Sequence, residues 1–272
     1  MNGEERGTPA LIEPVVAIAE AAGKAILAVY ETEFDVDAKA DDSPLTQADM
    51  ASHRHIVAAL GALTPGLPVL SEEAGLPDFA ERRRWRRYWL VDPLDGTKEF
   101  VKKNGEFTVN IALVEEHVPV LGVVHVPVRG LTYTGCAGAG ATRREADGRQ
   151  RPIHVAIESA SPVRVVGSRS HRGASLDAFL EKLGDFEMVP MGSSLKLCLV
   201  AEGAADVYPR LGPTSEWDTA AAQAVVEQAG GAVWQLDGRP LTYNEKADIL
   251  NPHFLVVGPQ DHDWLGILAD AG

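Results

Sequence analysis

The sequence predicts a mixed α/β fold, with an α+β first half and an α/β second half. Three observations carry this reading: two amphipathic helical patterns open the chain, short β-like runs follow them, and helices and strands alternate after about residue 152. Its 272 residues can bury a full core, in one large domain or two intimate smaller ones. A content of 45% hydrophobic and 24% charged residues argues against wholesale disorder.

The first element spans residues 9 to 30. There Leu11, Ile12, Val15, Val16, Ile18, Ala19, Ala22, Ile26, Leu27 and Tyr30 recur at helical spacing, and Pro14 is tolerable near the first turn. Thr46-Gln47-Ala48-Asp49 opens a second helix through Ile56, Val57 and Leu60 that ends near Gly61. Thr46 and Asp49 look like a capping pair, with Asp where Glu or Gln is usual. Lys39 to Pro44, just before, reads as a polar turn that could serve as a mobile loop. Residues Val69 to Glu72, Trp89 to Asp92, Thr108 to Val114 and Val120 to Val126 read as strands of an antiparallel-leaning sheet.

Thr142 to Pro152 is the clearest break in hydrophobicity, and it places a boundary between an N-terminal domain (1–147) and a C-terminal one (148–272). Beyond it, Val163 to Gly167 reads as strand, Ser175 to Leu183 and Leu195 to Glu202 as helices, and Ala205 to Tyr208 as strand. Thr219 to Gln228 and Ala232 to Leu236 complete the alternation as helix and strand. No internal repeat is visible.

Charge and cysteine content narrow the setting. A net charge of −14 disfavours nucleic acid as a partner, and an anionic substrate would need local cations. The run Glu81-Arg82-Arg83-Arg84-Trp85-Arg86-Arg87 invites an RNA-binding reading, but a solvated surface segment fits the acidic whole better. Cys136 and Cys198 imply no disulfide framework and suit a reducing cytoplasm; Cys198 reads as a small core residue. The N-terminus, with Glu4, Glu5 and Arg6 before a segment broken by Glu13, Glu20 and Lys24, reads as neither signal peptide nor membrane span. Gly135 to Gly140 suggests a dinucleotide loop, yet charged residues follow it, so it reads as a glycine-rich β connection. His53 and His55 lie two apart on a helix, on different faces, which disfavours a zinc pair.

The densest chemistry lies in Asp92-Pro93-Leu94-Asp95-Gly96-Thr97, at the end of the run Tyr88 to Val91. Pro93 has no N–H and is expected to stop a central strand, while Gly96 can take conformations other residues resist. In such a turn Asp92 and Asp95 can face one hard cation with the Leu94 carbonyl between them, an all-oxygen set of the kind Mg²⁺ prefers. Gly96 and Thr97 could donate to a phosphate oxygen. A plain β-turn uses the same residue types, so partners matter. Haloacid-dehalogenase phosphatases also end a strand with two aspartates, but at a spacing of two rather than the three seen here. Ser71-Glu72-Glu73 ends the Val69 strand and can bring a carboxylate beside the turn. Asp218, in Trp217-Asp218-Thr219, precedes an alanine-rich helix and suits both an N-cap and a ligand role.

Together, Ser71-Glu72-Glu73, Asp92 to Thr97 and Trp217-Asp218-Thr219-Ala220-Ala221 resemble the inositol monophosphatase superfamily of magnesium-dependent, lithium-sensitive phosphatases. The extension through Lys98-Glu99-Phe100, with Asn104 to Asn110, Gly192-Ser193-Ser194-Leu195-Lys196 and Tyr208-Pro209-Arg210, looks like its CysQ-type branch, the 3'(2'),5'-bisphosphate nucleotidases. The match runs from about residue 9 to nearly the end. Asp42 departs locally, where related loops often carry a neutral residue.

This resemblance implies a layered αβαβα sandwich with the metal site between its halves. It implies that Glu72, Asp92, Asp95, Asp218 and the Leu94 carbonyl bind two or more Mg²⁺ ions, and that Thr97 and Asp49 orient and deprotonate a water. It assigns the scissile phosphate to Gly96 and Thr97, and the nucleotide with its second phosphate to the region of His171, Ser193, Ser194, Lys196 and Arg210; Glu72, Leu94, Asp95 and Asp218 also border the substrate. Four gathered carboxylates would raise one another's pKa unless cations neutralise them, which gives the cluster a reason that capping and turns do not.

The expected reaction is metal-assisted hydrolysis of 3'-phosphoadenosine 5'-phosphate to 5'-AMP, extending to 3'-phosphoadenylyl sulfate, in the sulfur metabolism of the cytoplasm. Inositol monophosphatase or fructose-1,6-bisphosphatase activity is the nearest alternative, and a non-catalytic Mg²⁺ and nucleotide sensor the alternative of another class. No nucleic-acid partner and no transmembrane segment are expected; a homodimer and loose attachment to the cytoplasmic membrane face are compatible with the sequence.

Overall fold

The computed structural model of the protein describes residues 8–32, 43–167 and 174–269. Glu4, Glu5, Arg6, Lys39 to Asp42 and His171 lie outside the described residues.

A 3₁₀ turn, Thr8–Leu11, runs into helix α1 (Ile12–Tyr30), which buries Val15, Val16, Ile18, Ala19, Ala22 and Ile26 on one face. Each large aliphatic side chain so buried contributes about 1.5–3 kcal/mol. Helix α2 (Pro44–Leu63) begins earlier than its pattern suggests. Ser43 is the N-cap, accepting the Thr46 N–H, and Pro44 occupies the first turn. Asp49 is therefore mid-helix and caps nothing, because Ser43 has taken that role.

Next come β1 (Val69–Ser71), a 3₁₀ turn at Glu72–Ala74, the short α3 (Phe79–Arg82), β2 (Arg87–Asp95) and α4 (Thr97–Val101). Strands β3 (Thr108–Glu115), β4 (Val118–Val126), β5 (Leu131–Cys136), β6 (Gly140–Arg144) and β7 (Gln150–Pro152) follow. Among the described residues these form a seven-stranded sheet in the order β1-β2-β3-β4-β5-β6-β7, antiparallel except for the parallel pair β1/β2. The hydrophilic stretch 142–152 is a paired hairpin of this sheet, with Thr142 opposite Pro152. Its polarity comes from an edge position, where side chains meet water.

The remaining elements are β8 (Val163–Gly167), α5 (Ala174–Leu183), β9 (Phe186–Pro190), α6 (Leu195–Ala201), β10 (Val207–Arg210), α7 (Ala220–Gln228), β11 (Ala232–Gln235), β12 (Phe254–Val257) and α8 (Trp264–Ala269). Their strands form a five-stranded sheet, β11-β12-β10-β8-β9, with β10, β8 and β9 parallel and β12 antiparallel to its neighbours.

The alternation along β2 shows how the layers stack. Trp89 and Val91 pack with α1 and α2, whereas Tyr88 and Leu90 pack with α6 and α7. The opposite side of that helical layer meets Val166, Tyr208, Phe254 and Val256 of the second sheet, whose far face is covered by α5 and α8. The result is the expected αβαβα sandwich. Helix α7 lies almost on the backbone of the first sheet: a Cβ at Gly122 would fall 2.0 Å from the Ala221 carbonyl oxygen, and one at Gly135 2.4 Å from that of Ala224. Glycine on the sheet and alanine on the helix thus fix where the chain just before α7 enters the site.

Candidate active site

The parallel pairing of β1 and β2, with Ser71 opposite Val91, brings Glu72 and Asp92 to the same end of adjacent strands. Pro93 does not stop β2, as the sequence led us to expect. Asp92 pairs with Asn110 and Asp95 with Thr108, so Pro93 and Leu94 together oppose Val109 in a β-bulge. A bulge accommodates a residue with no N–H and turns both aspartates toward one end of the sheet. The Asp92 carboxylate accepts the Leu94 N–H at 3.0 Å, and Ser52 of α2 donates to the Pro93 carbonyl at 2.8 Å. Gly96, at φ +98°, then reverses the chain into α4, in a conformation that favours glycine.

Asp95 is held from the other half of the molecule. It accepts the Ser194 N–H at 2.5 Å, and Thr108 and Asn110 approach the same oxygen at 3.4 Å. The Ser194 hydroxyl bonds Asn110 and Thr108, each at 2.9 Å, so this buried serine has both its donors engaged. Asp218 does not cap α7. It closes a 3₁₀ turn, Glu216–Asp218, in a reciprocal capping box with Ser215, accepting the Ser215 N–H at 2.9 Å.

Electrostatics tie the acids together. Burial first, then the charges of Asp95, Glu72, Asp218 and Asp49, hold Asp92 well above the usual carboxylate range. Burial and Asp95 push Asp218 up to about 7. Burial, Glu73 and Glu72 push Asp49 up to about 8. Glu72, although exposed as a residue, is raised too, by partial burial of its carboxylate and by the Glu73 charge. Asp95 is raised by burial, an effect opposed by Lys196 and the Ser194 N–H.

Such a set fits a hard cation: the donors are all oxygen, and the acids disfavour one another's charge in its absence. Among the described residues no three of them already form a ligand cage, so the fit rests on donor chemistry and charge coupling. Thr97 is exposed at the start of α4, which packs against α2, and Asp49 is largely buried in α2. No hydrogen bond joins the two.

A cavity of about 150 Å³ opens beside the acids, bordered by Gly96, Ser193, Lys196, Tyr208, Arg210 and Asp218. Lys196 donates to the Ser193 carbonyl at 2.6 Å, and its ammonium is 5.8 Å from the Tyr208 ring centroid. Arg210 donates to the Pro213 carbonyl at 2.6 Å. The residues that the sequence gathered from six separate segments therefore meet in one region, apart from His171. Sequence reasoning missed the supports Ser52, Thr108 and Asn110. Only the last two carried a signal, inside the Asn104 to Asn110 motif.

Fold and site together define a member of the inositol monophosphatase family: the family's sequence profile matches residues 10–264, and the chain belongs to it. Within that family it is similar to 3'(2'),5'-bisphosphate nucleotidases of the CysQ type. The 3'(2'),5'-bisphosphate nucleotidase CysQ of Escherichia coli (strain K12) is 50% identical over 90% of this chain and 99% of its own. Its counterpart in Haemophilus influenzae is 38% identical over 94% and 96%. The crystal structure of CysQ from Bacteroides thetaiotaomicron superposes with a TM-score of 0.85 at 43% identity, covering 95% of this chain and all of that one. An inositol monophosphatase from Anabaena gives 0.74 at 26%, over 97% and 96%.

Proposed function

We propose that this protein is a Mg²⁺-dependent 3'(2'),5'-bisphosphate nucleotidase that hydrolyses the 3'-phosphate of 3'-phosphoadenosine 5'-phosphate, releasing 5'-AMP and phosphate. The observation that carries the substrate choice is the cavity in which Lys196 and Arg210 border the carboxylate cluster. An ester with one phosphate needs a single anion site, whereas two cations beside the cluster suit a second phosphate. The names of its relatives point the same way.

In this reading Glu72, Asp92, Asp95, Asp218 and the Leu94 carbonyl hold two or more Mg²⁺ ions. When bound, such ions lower the pKa of a water and neutralise charge building on the phosphoryl and leaving oxygens. The N–H groups of Gly96 and Thr97 hold the scissile phosphate. The Thr97 hydroxyl orients the attacking water, and Asp49, in its ionised form, takes the proton. The water oxygen bonds phosphorus as the bond to the ribose 3'-oxygen breaks, and that oxygen leaves with a proton from solvent. No covalent phosphoenzyme is needed. Lys196, Arg210 and Ser193 grip the second phosphate, with His171 assigned to the same region by resemblance alone. Ser194 acts through Asp95, since its donors are already engaged. Free, buried Cys136 and Cys198 support a cytoplasmic setting, and among the described residues no helix is long and apolar enough to cross a membrane.

The test is phosphate release from 3'-phosphoadenosine 5'-phosphate, inositol 1-phosphate and fructose 1,6-bisphosphate, side by side at saturating Mg²⁺. The bisphosphonucleotide is expected to give the largest kcat/KM, by at least about tenfold over inositol 1-phosphate, the discrimination that one charged contact supplies. A clear preference for the inositol or fructose ester refutes the substrate assignment.

A further inference from the structure

Arg82 belongs to the basic run 81–87, which reads as a surface segment, yet its side chain is fully buried at the end of α3. Its guanidinium donates to the Asn244 side-chain oxygen and to the carbonyls of Lys246 (2.9 Å) and Ala247 (2.5 Å). Asn244 answers by donating its amide to the Arg82 carbonyl at 2.7 Å. The Asn244 backbone, at φ +58°, is in the left-handed region that asparagine tolerates, and its N–H points to the Glu216 carboxylate at 2.9 Å. Glu216 is itself 1% exposed, lies 3.9 Å from the Lys246 ammonium, and stands two residues before Asp218 in the same 3₁₀ turn.

The chain thus runs through polar contacts from α3, which follows the Glu72 turn, across residues 244–247, to the turn that carries Asp218. We propose that Arg82, Asn244 and Glu216 are positioning residues for the metal site, a buried clamp that fixes the Asp218 turn against the acids carried by the first sheet. The physical need is plain. Asp218 must stand near Asp92, Asp95 and Glu72, which repel it, and Ser215 alone ties its carboxylate within its own turn. A bidentate arginine locked to a backbone segment resists that displacement in a way a solvated contact would not. The Asn244 N–H also supplies the buried Glu216 carboxyl with a hydrogen-bond partner inside the clamp.

This proposal rests on the metal-site reading above, and the experiment separates the two. Mg²⁺ binding to the EDTA-stripped protein is measured by calorimetry for the wild type, Arg82→Lys, Asn244→Gly and Asp218→Asn, with thermal unfolding without metal as a control. Lysine keeps the charge but loses the fork, and glycine tolerates the positive φ while removing both side-chain contacts. Both clamp variants are expected to raise the Mg²⁺ Kd by roughly tenfold or more, the scale of lost support behind metal ligands. The nucleotide KM at saturating Mg²⁺ should stay within about twofold, a split that loss of fold stability alone does not produce. Wild-type Mg²⁺ affinity in the folded clamp variants, with Asp218→Asn weakened, overturns the clamp. Wild-type affinity in Asp218→Asn overturns the metal-site reading itself. Asn244→Gly decides the matter where Arg82→Lys fails to fold.

Discussion

Two sides of one cavity are built differently. Asp95 is held by Ser194, at the start of α6, and by Thr108 and Asn110 of the neighbouring strand β3, and Asp92 is turned by its own bulge and steadied by Ser52. Opposite them, Lys196 and Arg210 are tethered to carbonyls three residues away along their own segments. The carboxylate side is fixed by tertiary contacts, whereas the cationic side consists of long side chains that can release a carbonyl and re-aim at an anion. In the proposed function, bond breaking belongs to the first side and substrate choice to the second.

The sharpest way to break this contrast is Asp92→Asn. The variant keeps the shape of the bulge and removes one ligand charge, so turnover should fall by about three orders of magnitude, about 4 kcal/mol of barrier, with every phosphate ester tried. Retention of most activity with any ester would remove Asp92 from the chemistry. Lys196→Ala and Arg210→Ala should act more narrowly. Each is expected to lower kcat/KM for the bisphosphonucleotide by about 10- to 100-fold, mainly through KM, while changing hydrolysis of a single-phosphate ester by less than about threefold. Equal losses on both substrates would erase the distinction between the sides.

The mildest effect concerns stability. In the cation-free protein the folded pKa values of Asp49, about 8, and Asp218, about 7, stand above the unfolded value near 3.8. Their contribution is complete below about pH 4 and is lost as pH rises through about 7 to 8. Melting temperature in EDTA should therefore decline from pH 5 to pH 8, and added Mg²⁺ should raise it more at pH 8 than at pH 5. A Mg²⁺ shift of equal size at both values would detach these acids from cation binding.

Much of this arrangement was legible in the sequence, because the helices and central strands announce themselves by period. The acids announce themselves by clustering where turn chemistry alone gives no reason for them. What stayed hidden depends on tertiary context. Pro93 reads as a strand stop until a bulge supplies a place without a ladder bond. Thr142 to Pro152 reads as a break in hydrophobicity, and its pairing as a polar edge hairpin of the first sheet is what the sequence does not show. Asp49 and Asp218 resemble caps, but Ser43 caps α2, and Asp218 is drawn into the 3₁₀ turn that Ser215 caps while Thr219 stands at the start of α7. Arg82 is indistinguishable by type from its exposed neighbours Arg83 and Arg84, and only the distant Asn244 reveals that it turns inward.

The most direct test of the account is the identity of the nucleotide released from 3'-phosphoadenosine 5'-phosphate, read by ³¹P NMR while Mg²⁺ is titrated into the EDTA-stripped protein. The account predicts no reaction before Mg²⁺ is added and 5'-AMP with one equivalent of phosphate afterwards. Release of 3'-AMP, or undiminished hydrolysis without the cation, would contradict it.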